Sequence, residues 1–179
     1  MSDDRRFSRR EFGQIGVSAA AILSGGVGLD VQTPGRGTAP APAPPPEALK
    51  SEFLMDLLLE TTPGIAIGER SVVNVTGGTF EGPKLKGKVV SPGADWPRRI
   101  TDTLRILDVR TLLVTDDDAK IYTTYRGVIY TPSGGARYWR TTPIFETDAP
   151  KYAWLNSLVA VGVSFTVPQR VAYRIFQIL

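Results

Sequence analysis

Apolar residues recur at every second position over much of the chain after residue 46, and this period restricts the folds open to it. In the segment "LVAVGVSFTV" the alternate residues from Val159 to Val167 share one face, and Ala160, Gly162, Ser164 and Thr166 share the other. Successive side chains of a β-strand point to opposite faces, whereas helical side chains repeat every 3.6 residues. The pattern therefore predicts a β-strand and excludes a helix.

Further strands follow from composition and turn signals. The segments "KIYTTYRGVIY" and "RVAYRIFQIL" are rich in β-branched and aromatic residues, and "TLRILDVRTLLVTDDDAKIYTTY" reads as two long strands joined at Asp116–Asp118. The segment "SEFLMDLLLETTPG" fits a first strand or a short helix. Long strands linked by short turns predict an all-β fold, a single antiparallel β-barrel of about eight or more strands, calycin-like in general shape. The interior of such a barrel can hold one small ligand.

The residue types that are missing limit the chemistry. The 179 residues include no cysteine and no histidine, which excludes disulfides, thiolate nucleophiles and the commonest general base and metal ligand. The formal net charge is +3, with acidic and basic residues mixed along the chain. Because nucleic-acid binding needs a clustered basic face, no nucleic-acid partner is expected. No cofactor or metal motif is found, so catalysis would use carboxylates, Tyr, Arg or Lys.

The N-terminal region predicts an export signal followed by a linker. Residues 1–30 contain "SRREF" before a modestly apolar, glycine-diluted run, which resembles a twin-arginine export signal and predicts a periplasmic location and an encounter with export machinery. The run is too short and too rich in glycine for a stable membrane span. Residues 31–46 are rich in Pro and Ala and predict an extended linker. The folded domain is then expected at residues 47–179.

Three motifs suggest binding sites, and the sequence supports these sites to different degrees. "GPKLKGKV" nearly spells a phosphate-binding loop, but Val89 replaces the hydroxyl residue and no helix pattern follows, so the interpretation is rejected. The aspartates at 116–118 favour a hairpin tip over a calcium site, because further oxygen ligands are missing. Asp108 and Arg110 share a strand face with Leu104. We expect that face to line a cavity of mixed polarity; alternatively, the pair is exposed on the outside of the strand.

Four ordered motifs, "GGTFEGPKLKG", "SPGADW", "LDVRTLLVTDDDAKIY" and "PIFETDAPKYAWLN", resemble the domain of unknown function 3237 family, also called uncharacterised protein family 0311. The resemblance covers most of residues 50–179. It implies a single β-barrel and no particular reaction. The chain departs from the family at the hairpin tip, where Asp118 replaces a glycine. The motif positions are Gly77, Gly78, Gly82, Asp95, Trp96, Arg110, Asp116, Glu146, Tyr152, Trp154, Leu155 and Asn156.

The last of these motifs contains more than a turn needs. "FETDAPKYAWLN" has its own turn residues around Pro150, so its carboxylate, phenol, indole and amide are surplus. We expect this connection to cover one barrel mouth and to turn polar groups inward; alternatively, Trp154 plugs the end while Glu146 and Asn156 tie down the loop. The predicted site joins seven residues at one mouth: Glu146, Asp95 and Tyr152 as catalytic groups, and Arg110, Trp96, Trp154 and Asn156 as substrate-binding groups.

Two functions remain open from the sequence. One is an acid/base enzyme of isomerase, cyclase, dehydratase or hydrolase type, in which burial raises the pKa of Glu146 or Asp95 and Arg110 holds an anionic group. The other is a non-catalytic periplasmic binding or carrier protein for a small apolar or anionic ligand. A carboxylate at the centre of the cavity favours the enzyme. Oligomeric state is not predicted.

Overall fold

The computed structural model describes residues 48–179, which form one β-barrel. The predicted leader at 1–30 and the predicted linker at 31–46 lie outside the described residues. The ten strands are β1 Ser51–Thr61, β2 Ile65–Ile67, β3 Arg70–Glu81, β4 Lys86–Asp95, β5 Arg98–Arg99, β6 Leu104–Thr115, β7 Lys120–Tyr130, β8 Tyr138–Glu146, β9 Val159–Val167 and β10 Arg170–Ile178. The segment that the sequence left open between strand and helix is therefore strand β1.

Eight long antiparallel strands close the barrel, as predicted. They lie in the order β1-β10-β9-β8-β7-β6-β4-β3, and β3 pairs with β1 to complete the circle. The short strands β2 and β5 add to β3 and β6 at one rim. The weakest seam joins β8 to β9, with only Arg140 opposite Val163 and Thr141 opposite Gly162. Closure leaves few unpaired strand edges to attract other chains.

Alternate residues of each strand fill the interior. Leu57 and Leu59 of β1, Leu113 of β6, Phe145 of β8 and Ile175 of β10 are almost completely buried. On β9 the small residues point inward: Ala160 is buried, whereas Val159 is 68% exposed. Burial of such side chains contributes roughly 1.5–3 kcal/mol each and is the main source of stability.

The face expected to line a cavity on β6 points outward instead. Leu107, Val109 and Leu113 are buried in the barrel, whereas Asp108 and Arg110 lie on its outer wall. The error has a simple cause. Both faces of β6 carry apolar residues, so periodicity could not decide which face is inside. The turn at residues 116–118 forms as predicted, with Asp118 in the left-handed region at φ 63°.

The two ends of the barrel differ. A 3₁₀ helix, Pro150–Ser157, covers one end and buries Tyr152 and Leu155 in the core. We call this the closed end. At the opposite end, β1, β4 and β7 terminate around a cavity, and we call this the open end.

Candidate functional site

A cavity of about 170 Å³ lies inside the barrel at the open end. Its wall is mainly leucine and valine, with one carboxylate, two phenols, one indole and one guanidinium among them. The lining residues are Leu59, Thr61, Val73, Val75, Asp95, Pro97, Arg105, Leu107, Val109, Tyr125, Ile129, Trp139, Val171 and Tyr173. An apolar cavity with a few convergent polar groups is the usual form of a small-molecule site.

Strand register brings Asp95 into this cavity. Asp95 ends β4 opposite Val109 of β6, and Val109 lies opposite Tyr125 of β7. These three residues therefore face the interior side by side. A bulge between Val90 and Ala94 adds two residues to β4, which moves Asp95 along the wall to the position opposite Val109.

The environment of Asp95 favours its neutral form. Burial raises the pKa of Asp95 from 3.8 to about 6, with a smaller contribution from the negative charge of Asp108. The backbone amide of Asp108 donates a 3.1 Å hydrogen bond to Oδ1 of Asp95, and this bond acts in the opposite direction. Near neutral pH both protonation states of Asp95 are therefore populated, as a general acid or base requires.

An aromatic wall stands beside Asp95. The rings of Tyr125 and Tyr173 pack edge to face at 5.6 Å between centroids, and Trp139 packs on Tyr173 at the same distance. Burial, and then neighbouring groups that include Asp95, raises the pKa of Tyr125 and of Tyr173. Both phenols are thus uncharged near neutral pH and can donate hydrogen bonds. Nε1 of Trp139 is buried without a hydrogen-bond partner among residues 48–179.

Two arginines stand at the rim of the cavity. Arg105, Ile129 and Trp139 lie side by side on β6, β7 and β8, all with their side chains on the inner face. Arg137 precedes Trp139 by two residues, and its guanidinium carbon lies 4.8 Å from the centroid of a Trp139 ring. Its positive charge favours the ionised form of Tyr173 and so lowers the pKa of that phenol slightly, against the larger effect of burial.

The seven residues predicted to share one mouth are not brought together. Asp95 alone lines the cavity. Trp96 and Arg110 lie on the outer wall, where the guanidinium carbon of Arg110 is 5.4 Å from a Trp96 ring centroid. Arg110 also donates a 3.3 Å bond to Asp108.

The other four predicted residues belong to the closed end. Glu146 is exposed at the end of β8, and Trp154 is partly buried beneath Lys84. Asn156 binds both the amide and the carbonyl of Thr147 at 2.9 Å. The Tyr152 hydroxyl donates a 2.8 Å bond to Asp117. The connection thus covers one mouth as expected, but Tyr152 and Leu155 enter the core while Asn156 holds the loop backbone.

Four cavity residues were missed by the sequence interpretation: Tyr125, Tyr173, Trp139 and Arg105. A usable signal existed. The hairpin tip at 116–118 fixes the register of β6 on β7, which places Tyr125 opposite Val109 and Ile129 opposite Arg105. Within residues 48–179 no three acidic side chains cluster so as to hold a metal ion. In that same part of the chain no helix is long and apolar enough to cross a membrane.

Fold and cavity define a small closed β-barrel that is plugged at one end and has, at the other, an apolar cavity with a few polar groups. Residues 49–178 match the family described as Protein of unknown function (DUF3237), and the chain belongs to that family. A UPF0311 protein of Rhodopseudomonas palustris is 30% identical over 128 residues, which cover 64% of this chain and 84% of the relative. A β-barrel-like protein of Acinetobacter baumannii superimposes with a TM-score of 0.69 at 33% identity, over 76% of this chain and 99% of that one.

One relative has a named activity. The hydroalkoxylation enzyme phnH of Penicillium herquei is 30% identical over 116 residues, which cover 62% of this chain and 71% of the relative. Catalysis is therefore possible on this barrel.

Proposed function

We propose that the barrel is an acid/base enzyme that acts on a small, largely apolar substrate in the open-end cavity. The observation that carries the proposal is Asp95, a half-buried carboxyl with a pKa of about 6, in a largely apolar cavity wall. A proton-transfer catalyst is most effective when its pKa lies near the working pH. Among residues 48–179 no other carboxyl group lines this cavity.

The reaction class that suits these groups is addition of a hydroxyl group across a carbon–carbon double bond, or its reverse. The relative from Penicillium herquei is named for this chemistry. Protonated Asp95 would give its proton to one alkene carbon. The substrate oxygen would bond to the other carbon and lose its proton to the Asp95 carboxylate. Asp95 is regenerated, and no oxidant or reductant is consumed.

The neighbouring groups support this assignment. Tyr125 and Tyr173 are uncharged and can hold the substrate oxygen by hydrogen bonds without competing for the proton. The leucine and valine wall lowers the local polarity, which strengthens the electrostatic effect of Asp95 on the substrate.

The test is turnover of alkenyl phenols whose protonation gives a tertiary carbocation, followed by mass spectrometry in D₂O. The expected product is a cyclic ether with one deuterium on carbon. Asp95→Asn should abolish deuterium incorporation, while Glu146→Gln, which alters an exposed carboxylate at the other end, should leave it unchanged. Equal activity of Asp95→Asn and the unaltered protein would overturn the proposal.

A non-catalytic ligand carrier is the second candidate. The observation that favours it is the dispersal of the predicted polar set: Glu146 and Tyr152 do not join Asp95, so one carboxyl stands alone. A carrier would release its ligand chemically unchanged. Mass spectrometry of small molecules that co-purify with the protein, before and after incubation, separates the two.

We further propose that residues 1–30 direct export to the periplasm through the twin-arginine route. The support is the order of the Arg9-Arg10 pair, Phe12 and a modest apolar run. Replacing both arginines by lysine should leave a reporter fusion in the cytoplasm. Undiminished periplasmic delivery would contradict the proposal.

A further inference from the structure

We infer that the substrate carries an anionic group, which Arg105 and Arg137 hold at the rim while an apolar group enters the cavity. The inference rests on the proposed function for the identity of the site and adds the substrate class.

The cavity is small enough that a drug-sized ligand would place only one part of itself inside. Its volume is about 170 Å³. An engineered apolar cavity of about 150 Å³ binds benzene, so roughly one ring or one short branched chain fits inside. Drug-sized ligands occupy pockets of about 300–1,000 Å³. A larger substrate must therefore leave part of itself at the rim.

The rim presents positive charge to that part. Of the residues that the structure describes, only Arg105 and Asp95 place a charged side chain in the cavity wall. Arg137 lies against the indole of Trp139, which lines the same cavity. Because adjacent strands are about 4.8 Å apart, β6 and β8 place Arg105 and Trp139 roughly 10 Å apart. A carboxylate or similar anion at the rim is therefore within reach of the long side chains of Arg105 and Arg137.

Two other arginines near this end are already paired. Arg99 donates to Glu69 at 2.9 Å and 3.0 Å, and Arg170 forms a salt bridge with Glu60 at 2.9 Å. Neither Arg105 nor Arg137 forms a salt bridge with another of the described residues. Guanidinium groups bind carboxylates through paired N–H donors, so an anion would supply the missing partner.

The flat face of Trp139 keeps Arg137 available at the rim. Stacking of a guanidinium on an indole restricts the arginine side chain yet leaves its in-plane N–H donors free. The arrangement thus orients Arg137 before a ligand arrives, which lowers the entropic cost of binding.

The experiment uses two probes of the same shape, 3-phenylpropanoate and 3-phenylpropanamide. Each has one ring for the cavity, and only the first is an anion at pH 7.5. Binding is followed by ¹H–¹⁵N NMR at the indole N–H of Trp139, assigned with Trp139→Phe. We expect the acid to bind about fivefold more tightly than the amide at low salt, as a few solvent-exposed ion pairs provide, and this preference to shrink with added salt.

The variants decide which residues cause the preference. Arg105→Gln and Arg137→Gln should each reduce affinity for the acid several-fold and leave affinity for the amide within twofold. Arg110→Gln is the matched control, because Arg110 lies on the outer wall. The inference is overturned if the unaltered protein binds acid and amide equally, if both rim variants keep the preference, or if Arg110→Gln loses it to the same degree.

Failure here and failure of the proposed function are distinguishable. A protein that prefers the acid through its rim arginines but turns over no alkenyl phenol keeps this inference and loses the enzymatic proposal. One that turns over neutral alkenyl phenols without any preference for the acid probe does the reverse.

Discussion

The backbone amide of Asp108 donates a hydrogen bond to the Asp95 carboxylate, while the side chain of Asp108 turns to the other side of the barrel wall and binds Arg110. The wall thus separates two carboxylates that share one hydrogen-bonding segment. The hydrogen bond favours ionised Asp95, yet burial outweighs it and raises the pKa of Asp95 to about 6. This imbalance makes the stability of the barrel depend on pH.

Asp95→Asn is expected to stabilise the protein above pH 6. The folded state holds the Asp95 proton more tightly than the unfolded state, whose pKa is near 3.8, so the free energy of unfolding falls as pH rises from about 4 to about 6. Asparagine removes this cost and can still accept the Asp108 bond. The expected gain is about 1–3 kcal/mol at pH 8 and close to zero at pH 3.5, measured by urea denaturation. A constant gain across this range would contradict the assignment.

The rate of the proposed reaction should fall as pH rises. The step needs protonated Asp95, so kcat/KM is expected to drop about tenfold per pH unit above a pKa near 6. The two phenols that line the cavity do not interfere, because burial raises the pKa values of Tyr125 and Tyr173. Rates between pH 5 and 8 test this, and a profile that rises through pH 6 would exclude Asp95 as the acid.

The fold could be predicted from the sequence because local signals agreed with each other. Alternation in β9, β-branched residues in β7 and turn residues at 116–118 all indicate antiparallel strands, and eight long strands were found. The segment Ser51–Thr61 was ambiguous because its run of leucines fits either period. Pairing on both sides, with β10 and with β3, makes it a strand.

The site was predictable only in part. Asp95 faces the cavity, but Arg110 and Glu146 do not. The prediction placed them together because all three belong to the family motifs, and motif membership says nothing about which face of a strand a residue occupies. The cross-strand neighbours of a residue also depend on bulges such as that between Val90 and Ala94, which shift the register without a clear sequence signal. Tyr125 could have been placed from the hairpin register alone.

Tyr152→Phe should destabilise the closed end. The substitution removes the hydroxyl group of Tyr152, which donates a hydrogen bond to Asp117. Hydrogen bonds to Asp117, of which that from Lys151 has the largest effect, lower the pKa of this carboxyl group, and one of them is lost. We expect the thermal midpoint to fall at pH 7, because a hydrogen bond to a charged group is lost. The lowered pKa of Asp117 contributes its full stability above the unfolded value and loses it as pH falls toward the folded value, so the effect should shrink below pH 4.

The control for that change is Tyr122→Phe, on the outer wall of β7 and 38% exposed. It should leave the thermal midpoint unchanged. Similar losses for both variants would mean that the Tyr152–Asp117 bond contributes nothing specific.

Residues 48–179 should fold without the preceding segment. The hydrophobic core extends from Leu54 to Ile175 among the described residues, and the related Acinetobacter barrel aligns over 99% of its length with 76% of this chain. A protein that starts at residue 47 should unfold at the same temperature as the full chain. A midpoint lower by more than a few degrees would show that the first 46 residues stabilise the barrel.

Gly78→Ala should damage the seam that closes the barrel. Gly78 of β3 lies between Leu59 of β1 and Val89 of β4 with φ at 141°, a conformation that L side chains rarely adopt. A β-carbon there would stand 2.0 Å from the carbonyl oxygen of Leu58, and the paired backbone of β1 cannot easily withdraw. We expect a loss of about 3 kcal/mol or more, typical of strain at a special backbone position combined with overpacking.

Gly68→Ala separates the two causes of that loss. Gly68 also has a positive φ, 57°, but an added β-carbon meets nothing within 4 Å. Its cost should be about 1–2 kcal/mol, the ordinary penalty of the left-handed region. The difference between the two variants in urea denaturation then measures the close approach of β3 to β1. Equal losses would show that conformation alone, and not the tight contact at the closing seam, requires glycine at position 78.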